Sequence, residues 1–448
     1  MAGTMAAPSC LTCASVAVLL LLQGCQSYAP LPLNRQAGLA EHSSDLEFGS
    51  APQPLSIEAV SLLAVANNPD LRAARAEVGI AAAQVLQAGI MPNPSLGGSY
   101  AFLLGGPGTS AALTASLTED VKALVTLSAR RRSASAAAEQ VDASLLWQEW
   151  QTIGKGRLLF VDIVEGDRQQ HLLEETGAIL RTRLADEQQA LAQGNAALTE
   201  VVPALTAVAD LQKQVNDLAR QQATRRRDLD MLLGLAPDVP LTLDGRLNLP
   251  PIDPTAVPAM LSTLGDRRPD LIALQLGYRS QEEKVRGAIL AQFPALVFGG
   301  SGGRDTTDVL SAGPQITMDL PIFDRNQGNI AIETATRQKL HDEFTARLAT
   351  GKGEVKSLLA DAALIARQIE TLRKQAGDLR RAAIEAERAY RAGNLDERGY
   401  VDLIISALAK EEELITLEQL RLEQRVAIAT LLGAGMPSAA MPQAEARR

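Results

Sequence analysis

Side chains that usually carry catalysis or bind metal ions are few in this chain, and their spacing matches no known site. The histidines His42, His171 and His341 stand alone, and no Cys or acidic partner recurs at metal-ligand spacing. The glycine-rich run Gly299–Arg304 lacks the Lys-Ser/Thr pair of a phosphate-binding loop and does not enter a helix, so we interpret it as a strand end and extracellular loop. No Gly-x-Ser-x-Gly elbow precedes a helix. The sequence therefore predicts no enzyme, no catalytic residue, no metal site and no cofactor.

One position near the amino terminus does have a recognisable covalent chemistry. The apolar run Leu11–Leu22 leads into Gln23-Gly24-Cys25, and about a dozen apolar residues are too few to span a bilayer as a helix. The pattern predicts a lipoprotein signal peptide over residues 1–24, whose removal leaves Cys25 as an amino-terminal residue that carries covalent lipid. A plain secretory signal is the alternative. The residue after Cys25 is Gln26 rather than Asp. By resemblance to lipoprotein sorting rules, this favours the outer membrane. The other cysteines lie inside the signal, so we expect no disulfide.

The composition argues against nucleic acid as a partner. The formal net charge is −9, and Lys and Arg are scattered rather than clustered, so no basic surface is expected. Only 3% of the residues are aromatic, and Ala, Leu, Gln, Glu and Arg dominate. This composition is typical of long helices.

The chain repeats itself at a spacing of about 200 residues. Pro69-Asp70-Leu71 returns as Pro269-Asp270-Leu271, and Gly194-Asn195 returns as Gly393-Asn394. Because such matches stay in register across most of the chain, we interpret them as one supersecondary unit used twice. A duplicated unit of this size favours a symmetric or pseudo-symmetric assembly.

The repeat sets the predicted domain organisation after the signal peptide. Each copy is expected to contain helices, then a β-hairpin, then a long helical hairpin. The predicted parts are an extended tether over 25–54, repeat 1 over 55–236, a Pro-rich linker over 237–254, repeat 2 over 255–433 and a flexible tail over 434–448.

The two β-hairpins are predicted at about 95–119 and about 295–320, where apolar and polar residues alternate. In the first hairpin Tyr100 and Leu113 fall on one face, and Ser99 falls on the other. An apolar face suits lipid, but open strand edges would leave backbone groups unpaired there. Four strands are too few to close a membrane barrel, whose minimum is about eight, so we expect several chains to contribute.

Long helical hairpins are predicted at about 128–233 and about 329–432. A helix of about 65 residues approaches ~100 Å, which is too long for the core of a globular domain. In the second copy Leu358, Ile365 and Leu372 belong to a heptad seam. The two Gly-Asn pairs are predicted to form the tight turns between antiparallel helices, because both residue types accept left-handed backbone angles.

This arrangement resembles the TolC-type outer membrane efflux proteins, the outer membrane factors of tripartite RND-type pumps. Besides the Gly-Asn turns, the resemblance is carried by Asn68–Leu71, Arg267–Leu271 and Pro321–Gly328. The last motif, Pro-Ile-Phe-Asp-Arg-Asn-Gln-Gly, is most similar to the branch that serves heavy-metal and cation pumps. The first copy departs from it, with Asp120–Thr126 at the corresponding place.

The resemblance implies an α+β membrane protein that forms a homotrimer. Four strands per chain would build a twelve-stranded β-barrel, continued by a long α-helical coiled-coil tunnel in the periplasm. The implied partners are a periplasmic adaptor protein, an inner-membrane RND-type transporter and outer membrane lipid, with no nucleic acid. The implied function is that of a lipid-anchored outer membrane exit duct for metal cations or drugs. The alternative is a periplasmic coiled-coil structural lipoprotein without a pore, which the alternating strands disfavour.

The resemblance also points to residues at the periplasmic end of the tunnel. Asp402 is similar in position to the acids that the family places at the periplasmic aperture, and Glu397 or Asp396 could share that role. The alternative for Asp402 is a solvated helix face. The tips of the helical hairpins are expected to contact the adaptor through Gly194, Asn195, Gly393 and Asn394.

Overall fold

The computed structural model describes residues 28–36, 38–49, 53–249 and 251–435. The predicted signal peptide, Cys25 and residues 436–448 of the predicted tail lie outside these ranges. The chain divides into two compact units, one ending at Leu39 and the other beginning at Ala40. In the first unit, residues 28–36 are exposed and contain no helix or strand. None of the helices in the described ranges is long and apolar enough to cross a membrane.

The helices of both copies follow the same order, with short helices first and a long helical hairpin last. In the first copy they are α1 (Ile57–Asn67), α2 (Pro69–Gly89), α3 (Val121–Ala192) and α4 (Leu198–Leu232). In the second copy they are α5 (Val257–Ser262), α6 (Leu264–Arg267), α7 (Pro269–Leu290), α8 (Gln327–Arg391) and α9 (Glu397–Leu432). Pro69 and Pro269 stand at the first helical position of α2 and α7, where a proline loses no hydrogen bond.

The strands of the two copies form one antiparallel sheet in the order β1-β2-β3-β4. The strands are β1 (Ser95–Ala101), β2 (Ala112–Asp120), β3 (Leu296–Arg304) and β4 (Leu310–Met318). Each copy supplies one hairpin, and pairing of β2 with β3, with Ser116 opposite Ser301, joins the copies. Within the described residues no strand pairs with the outer edge of β1 or of β4, so both edges of the sheet are open.

The register separates the two faces of the sheet, as the alternation in the sequence predicts. Leu96 lies opposite Leu117, Tyr100 opposite Leu113, and Phe298 opposite Ile316, so these side chains share one face. Although apolar, they are exposed, with 82% of Leu96 and 65% of Ile316 accessible. The other face carries small and polar side chains: Ser99, Thr114, Ser116, Thr118, Ser301, Ser311, Gln315 and Thr317.

The glycine-rich run forms the last six residues of β3, so it is a strand end as interpreted, but the interpretation of it as a loop is wrong. A Cβ added to Gly299 would lie 2.0 Å from the carbonyl oxygen of Leu117, and one added to Gly303 would lie 2.4 Å from that of Leu113. Side chains at these positions would force β3 away from β2. The glycines are therefore explained by close packing of the two backbones across the junction of the copies.

The passage from strand to helix differs between the copies. In the first copy β2 passes directly into α3, and the carboxylate of Asp120 accepts a hydrogen bond from the backbone N–H of Ala123 (3.2 Å). This cap lets the helix begin at Val121, well before the predicted start at about 128. In the second copy an irregular corner separates β4 from α8, which begins at Gln327, close to the predicted 329.

The turns between the long helices have the same geometry in both copies. Gly194 and Gly393 adopt φ values of 74° and 73°, in the left-handed region that glycine tolerates. Behind them, the backbone N–H of Asn195 donates to Ala190 O and that of Asn394 donates to Ala389 O, both at 2.8 Å. This hydrogen-bond pattern is a Schellman motif, which ends a helix and satisfies its last carbonyl groups.

Part of the predicted tether is packed against the helical body. The backbone N–H of Ala40 donates to Gly234 O (3.0 Å), that of Leu55 donates to Thr242 O (2.8 Å), and the Leu46 side chain is buried. The prediction of an extended tether over 25–54 is therefore wrong for residues 40–49 and 53–54. The predicted linker is also packed, since Leu243 pairs with Leu55. Both segments pack against the helices because burial of apolar side chains stabilises the folded chain by about 25 cal/mol per Å² of apolar surface.

The main apolar core lies where these segments meet the middle of the helices. Phe160 of α3, Leu63 of α1, Leu233 after α4 and Val426 of α9 are buried there. Smaller clusters stabilise the hairpins away from this core, for example Leu173 of α3 with other leucines of α4. This belt is therefore the largest buried cluster, and smaller clusters hold the helices together elsewhere.

A pair of carboxyl groups joins α3 to α9 beside this belt. The side-chain amide of Gln419 donates to Asp162 Oδ1 (3.1 Å) and to Glu423 Oε1 (2.8 Å), and Arg225 Nε of α4 lies 3.9 Å from Asp162 Oδ2. Burial, followed by the hydrogen bond and the charge of Asp162, raises the pKa of Glu423 to about 7. The proton on Glu423 therefore relieves repulsion between the two carboxylates.

We expect Glu423→Gln to change how stability depends on pH. Because the pKa of Glu423 is raised from 4.5 in the folded chain, its protonation contributes stability that is fully present below about pH 4.5 and is lost as the pH rises through about 7. A neutral Gln should therefore raise the thermal midpoint at pH 8, with a much smaller effect at pH 5. Circular dichroism melts at both pH values measure this difference.

The matched control is Glu370→Gln, since Glu370 is an exposed residue of α8 without a hydrogen bond or ion pair among the described residues. Its substitution should leave the pH dependence unchanged. Equal midpoint shifts at pH 5 and pH 8 for Glu423→Gln would show that this carboxyl does not titrate in that range.

Candidate functional site

The residues singled out in the sequence are brought together at the end of the two helical hairpins that is distant from the sheet. Gly194 and Gly393 lie in the turns, while Asp396, Glu397 and Asp402 lie at the start of α9. Facing the start of α9 are residues of the last turns of α3. The site is therefore built by one helix from each copy.

Asp402 is an exposed carboxylate, with 58% of its side chain accessible, and it pairs with Arg183 of α3. The same guanidinium donates from Nε to Glu187 Oε1 (2.9 Å), so one arginine serves two acids. Burial of Arg183 favours its neutral form, but the hydrogen bonds to Asp402 and Glu187 outweigh burial and raise its pKa. Asp402 is consequently held in place between α3 and α9.

The two other candidate acids have different environments. Burial raises the pKa of Glu397, and a hydrogen bond and the charge of Asp186 on α3 raise it further. The Glu397–Asp186 pair therefore binds a proton more readily than an isolated glutamate would. Asp396 caps α9, because its carboxylate accepts a hydrogen bond from the backbone N–H of Gly399 (2.9 Å). The geometry gives Asp396 a capping role, whereas Asp402 is paired with Arg183 and Glu397 is hydrogen-bonded to Asp186.

An aromatic contact lies next to the second turn. The rings of Tyr390 on α8 and Tyr400 on α9 stack with their centroids 5.0 Å apart and an interplanar angle of 2°. No atom lies within 4 Å of a Cβ added to Gly194 or Gly393. Both turns are therefore open to a partner, and the stacked tyrosines stiffen the second one.

Sequence reasoning missed Arg183 and Asp186, although both contact the candidate acids. Neither residue belongs to a local motif, since each lies within a long polar stretch of α3. Their roles depend on contact between a helix of the first copy and a helix of the second copy. Periodicity within either copy carries no signal for such a contact.

The histidines lie outside this site. His42 is next to Asp45 (3.3 Å) and His341 is next to Asp342 (3.1 Å), both pairs being exposed. Across the described ranges, no group of three or more His, Cys, Asp or Glu side chains is arranged to hold a metal ion. The site therefore offers carboxylates and one guanidinium for electrostatic contact with solutes.

Known proteins are similar to this chain in sequence over parts of different length. Residues 260–434, most of the second copy, match the outer membrane efflux protein family. OprJ, an outer membrane protein of Pseudomonas aeruginosa, is 27% identical over 164 residues, which are 34% of each chain. The match thus spans about a third of OprJ. The cobalt-zinc-cadmium resistance protein CzcC of Cupriavidus metallidurans is 23% identical over 347 residues, 77% of this chain and 80% of CzcC.

Solved structures establish the fold over nearly the whole chain. The CmeC outer membrane channel of Campylobacter jejuni superposes with a TM-score of 0.69 at 15% identity, covering 93% of this chain and 95% of CmeC. The predicted fold of the single chain is confirmed: four strands in one sheet, continued by long helical hairpins, with two structural repeats. The second copy therefore matches the outer membrane efflux protein family, and the chain as a whole has the fold of the solved outer membrane channels.

Proposed function

We propose that this protein is the outer membrane exit duct of a tripartite efflux system. It passively conducts solutes that an inner-membrane RND-type transporter delivers through a periplasmic adaptor protein. The observation that carries this proposal is the four-stranded sheet with one exposed apolar face and two open edges. Three such sheets, joined edge to edge, complete the hydrogen bonds that lipid cannot supply.

The helices support the same proposal by their length. The 65 residues of α8 extend about 100 Å at ~1.5 Å per residue, a distance suited to crossing the periplasm. The turns at Gly194–Asn195 and Gly393–Asn394 end the hairpins and are the surfaces offered to the adaptor. A scaffold without a pore would have no use for a sheet with an apolar outer face.

The cargo is metal cations or drugs, and two observations favour cations. The Pro321–Gly328 motif is similar to the metal-pump branch, and CzcC is named for resistance to cobalt, zinc and cadmium. At the proposed periplasmic aperture, Asp402 and Glu187 share the single positive charge of Arg183, and Glu397 lies beside Asp186, so the acids of this cluster outnumber its arginine in each chain. A ring of carboxylates attracts cations and raises their local concentration.

Covalent lipid on Cys25 anchors the chain to the periplasmic surface of the outer membrane. Support comes from the apolar run that precedes Cys25 and from the outer membrane location of the family. A diacylglycerol group supplies two acyl chains, which suffice for stable anchoring, so the lipid would hold the amino terminus at the membrane independently of the barrel.

The purified protein is expected to be a trimer that conducts ions in planar bilayers. Leu117→Lys, on the apolar face, should impair membrane assembly, because Lys near the bilayer midplane costs about 2–4 kcal/mol. Ser116→Lys, on the opposite face, should be tolerated and should alter conductance instead. Trimer recovery from outer membranes and single-channel recording measure both effects. A folded monomer with intact strands and no conductance would favour the pore-free scaffold.

Asp402→Ala is expected to weaken block of the channel by a trivalent metal ion added from the periplasmic side. Loss of three carboxylates should raise the blocking constant by about tenfold, which is ~1.4 kcal/mol. Asp361→Ala, at an exposed acid of α8 far from the turns, should leave block unchanged. Single-channel recording decides the matter. An unchanged constant for Asp402→Ala would mean that Glu397 or no acid lines the aperture.

The mature chain is expected to begin at Cys25 and to carry diacylglycerol on its thiol. Intact-mass spectrometry of the protein purified from membranes should show the lipid mass on an amino-terminal peptide starting at Cys25. The control is Cys25→Ala, which should accumulate uncleaved and without lipid. A mature chain with a free thiol, or one starting at another residue, would contradict lipid anchoring.

A further inference from the structure

Large apolar side chains are exposed at the irregular corner between β4 and α8. The accessible fraction is 67% for Leu320, 65% for Ile322 and 91% for Phe323. Such a group of side chains on the surface indicates an interaction site rather than part of a core. The corner lies just beyond the end of the sheet, on the side where the strands pass into the helices.

The backbone that carries these exposed side chains is held by several side-chain hydrogen bonds. The side-chain amide of Asn326 donates to Ala288 O at the end of α7 (2.8 Å), and that of Gln327 donates to Phe323 O (3.1 Å). In addition, Arg325 Nε donates to Pro321 O (3.3 Å). Because side chains fix the backbone at several points, Ile322 and Phe323 are presented to the outside as a defined surface.

Further apolar side chains link this corner to the apolar face of the sheet. Ile316 and Met318 lie on that face of β4, which ends at Met318, and the face is the one assigned to membrane lipid. Leu320 and Ile322 follow outside the strand, where the backbone N–H of Ile322 donates to Leu320 O (2.8 Å) and bends the chain. The apolar strip therefore consists of the apolar face of β4 and the two exposed side chains that follow it in the chain.

Beside Phe323 lies a groove of about 880 Å³ between the corner and the first turns of α8. Ile330 contributes apolar lining, while Gln292, Gln338 and Arg325 contribute polar groups. Arg325 is exposed and has no ion pair among the described residues. A guanidinium without a carboxylate partner is well suited to contact a phosphate group.

A second arginine without an ion pair, Arg131 of α3, lies near the same corner. Gly287 of α7 packs against Ala129 of α3, since a Cβ added to Gly287 would lie 3.6 Å from that of Ala129. The residue after Gly287, Ala288, accepts the hydrogen bond that anchors the corner. Arg131, two residues after Ala129, is exposed and has no ion pair within the described ranges. By contrast, Arg130 donates to Ala88 O and Ile90 O.

The apolar surroundings of Arg131 match those of Arg325. Arg130 ties α3 to the segment after α2, where 48% of Ile90 and 65% of Met91 are exposed. Apolar side chains and an unpaired arginine thus occur together in both copies, just below the sheet. We call Ile90, Met91, Arg131, Ile322, Phe323 and Arg325 the collar.

We infer that the collar binds phospholipid of the periplasmic leaflet of the outer membrane, with acyl chains on the apolar side chains and phosphates on Arg131 and Arg325. The apolar strip and the unpaired positive charges favour this occupant over another protein surface, because lipid offers hydrocarbon and phosphate at adjacent depths. The inference rests on the proposed function, which places the sheet in the membrane. A second copy of the chain covering Phe323 would exclude it.

Quenching of tryptophan fluorescence by brominated phosphatidylcholine tests the apolar contact. Three single variants of the full-length protein are reconstituted in vesicles with bromine near the headgroup end of the acyl chains: Phe323→Trp, Leu117→Trp on the apolar sheet face, and Leu364→Trp on the exposed helical surface of α8. The fluorescence of the native Trp147 and Trp150, measured with wild-type protein in the same vesicles, is subtracted from that of each variant. We expect strong quenching at 117 and 323 and none at 364.

The pattern of quenching separates the inference from the proposed function. If position 117 is quenched and position 323 is not, the sheet is in the membrane but the collar does not contact lipid, and the inference is overturned. If neither position is quenched, the proposed membrane location fails as well. Quenching at 364 equal to that at 323 would also overturn the inference, because contact would then be nonspecific.

Native mass spectrometry tests the phosphate contacts. The Arg131→Gln/Arg325→Gln double variant should retain fewer phosphatidylglycerol molecules per assembly than wild type at the same added lipid concentration. The matched control is Arg367→Gln/Arg398→Gln, which removes two exposed arginines of α8 and α9 that also lack ion pairs among the described residues. Equal lipid retention by both double variants would show that the collar arginines do not bind phosphate.

Discussion

Backbone hydrogen bonding at the two open edges of the sheet is the constraint on which the rest of this structure depends. An N–H or C=O group that faces hydrocarbon without a partner costs several kcal/mol, and β1 and β4 each present a row of such groups. The apolar face forbids the simple solution of exposing the sheet to water. Assembly with other copies satisfies both requirements, so the oligomer follows from the strand count and not from any single contact.

Duplication then determines how the helices must leave the sheet. In the first copy Asp120 caps α3 directly, whereas in the second copy Asn326, with φ of 61°, turns the chain through an irregular corner. Both routes deliver a long helical hairpin to the same side of the sheet. The second route leaves Phe323 on the surface, which a direct passage from strand to helix does not.

Much of this architecture could be predicted from one sequence, because its signals are local. Period-two alternation located the strands, and the Gly-Asn pairs located turns whose glycines adopt left-handed angles. What failed were properties set by distant contacts. Residues 40–49 pack against the body through Leu46. The early start of α3 was also missed, although its cap by Asp120 is a local contact. Arg183 reaches Asp402 across the two copies, and no spacing within the chain encodes that encounter.

The internal spacing of 199 residues shows how the two helical hairpins have diverged beside their turns. It aligns Asp402 of α9 with Pro203, a proline inside α4 that cannot donate a backbone hydrogen bond. At equivalent places the second copy thus carries a carboxylate paired with Arg183, whereas the first copy lacks one backbone hydrogen bond of its helix. The duplication has kept the helical hairpin and its turn, while the chemistry of the helix beside the turn has changed.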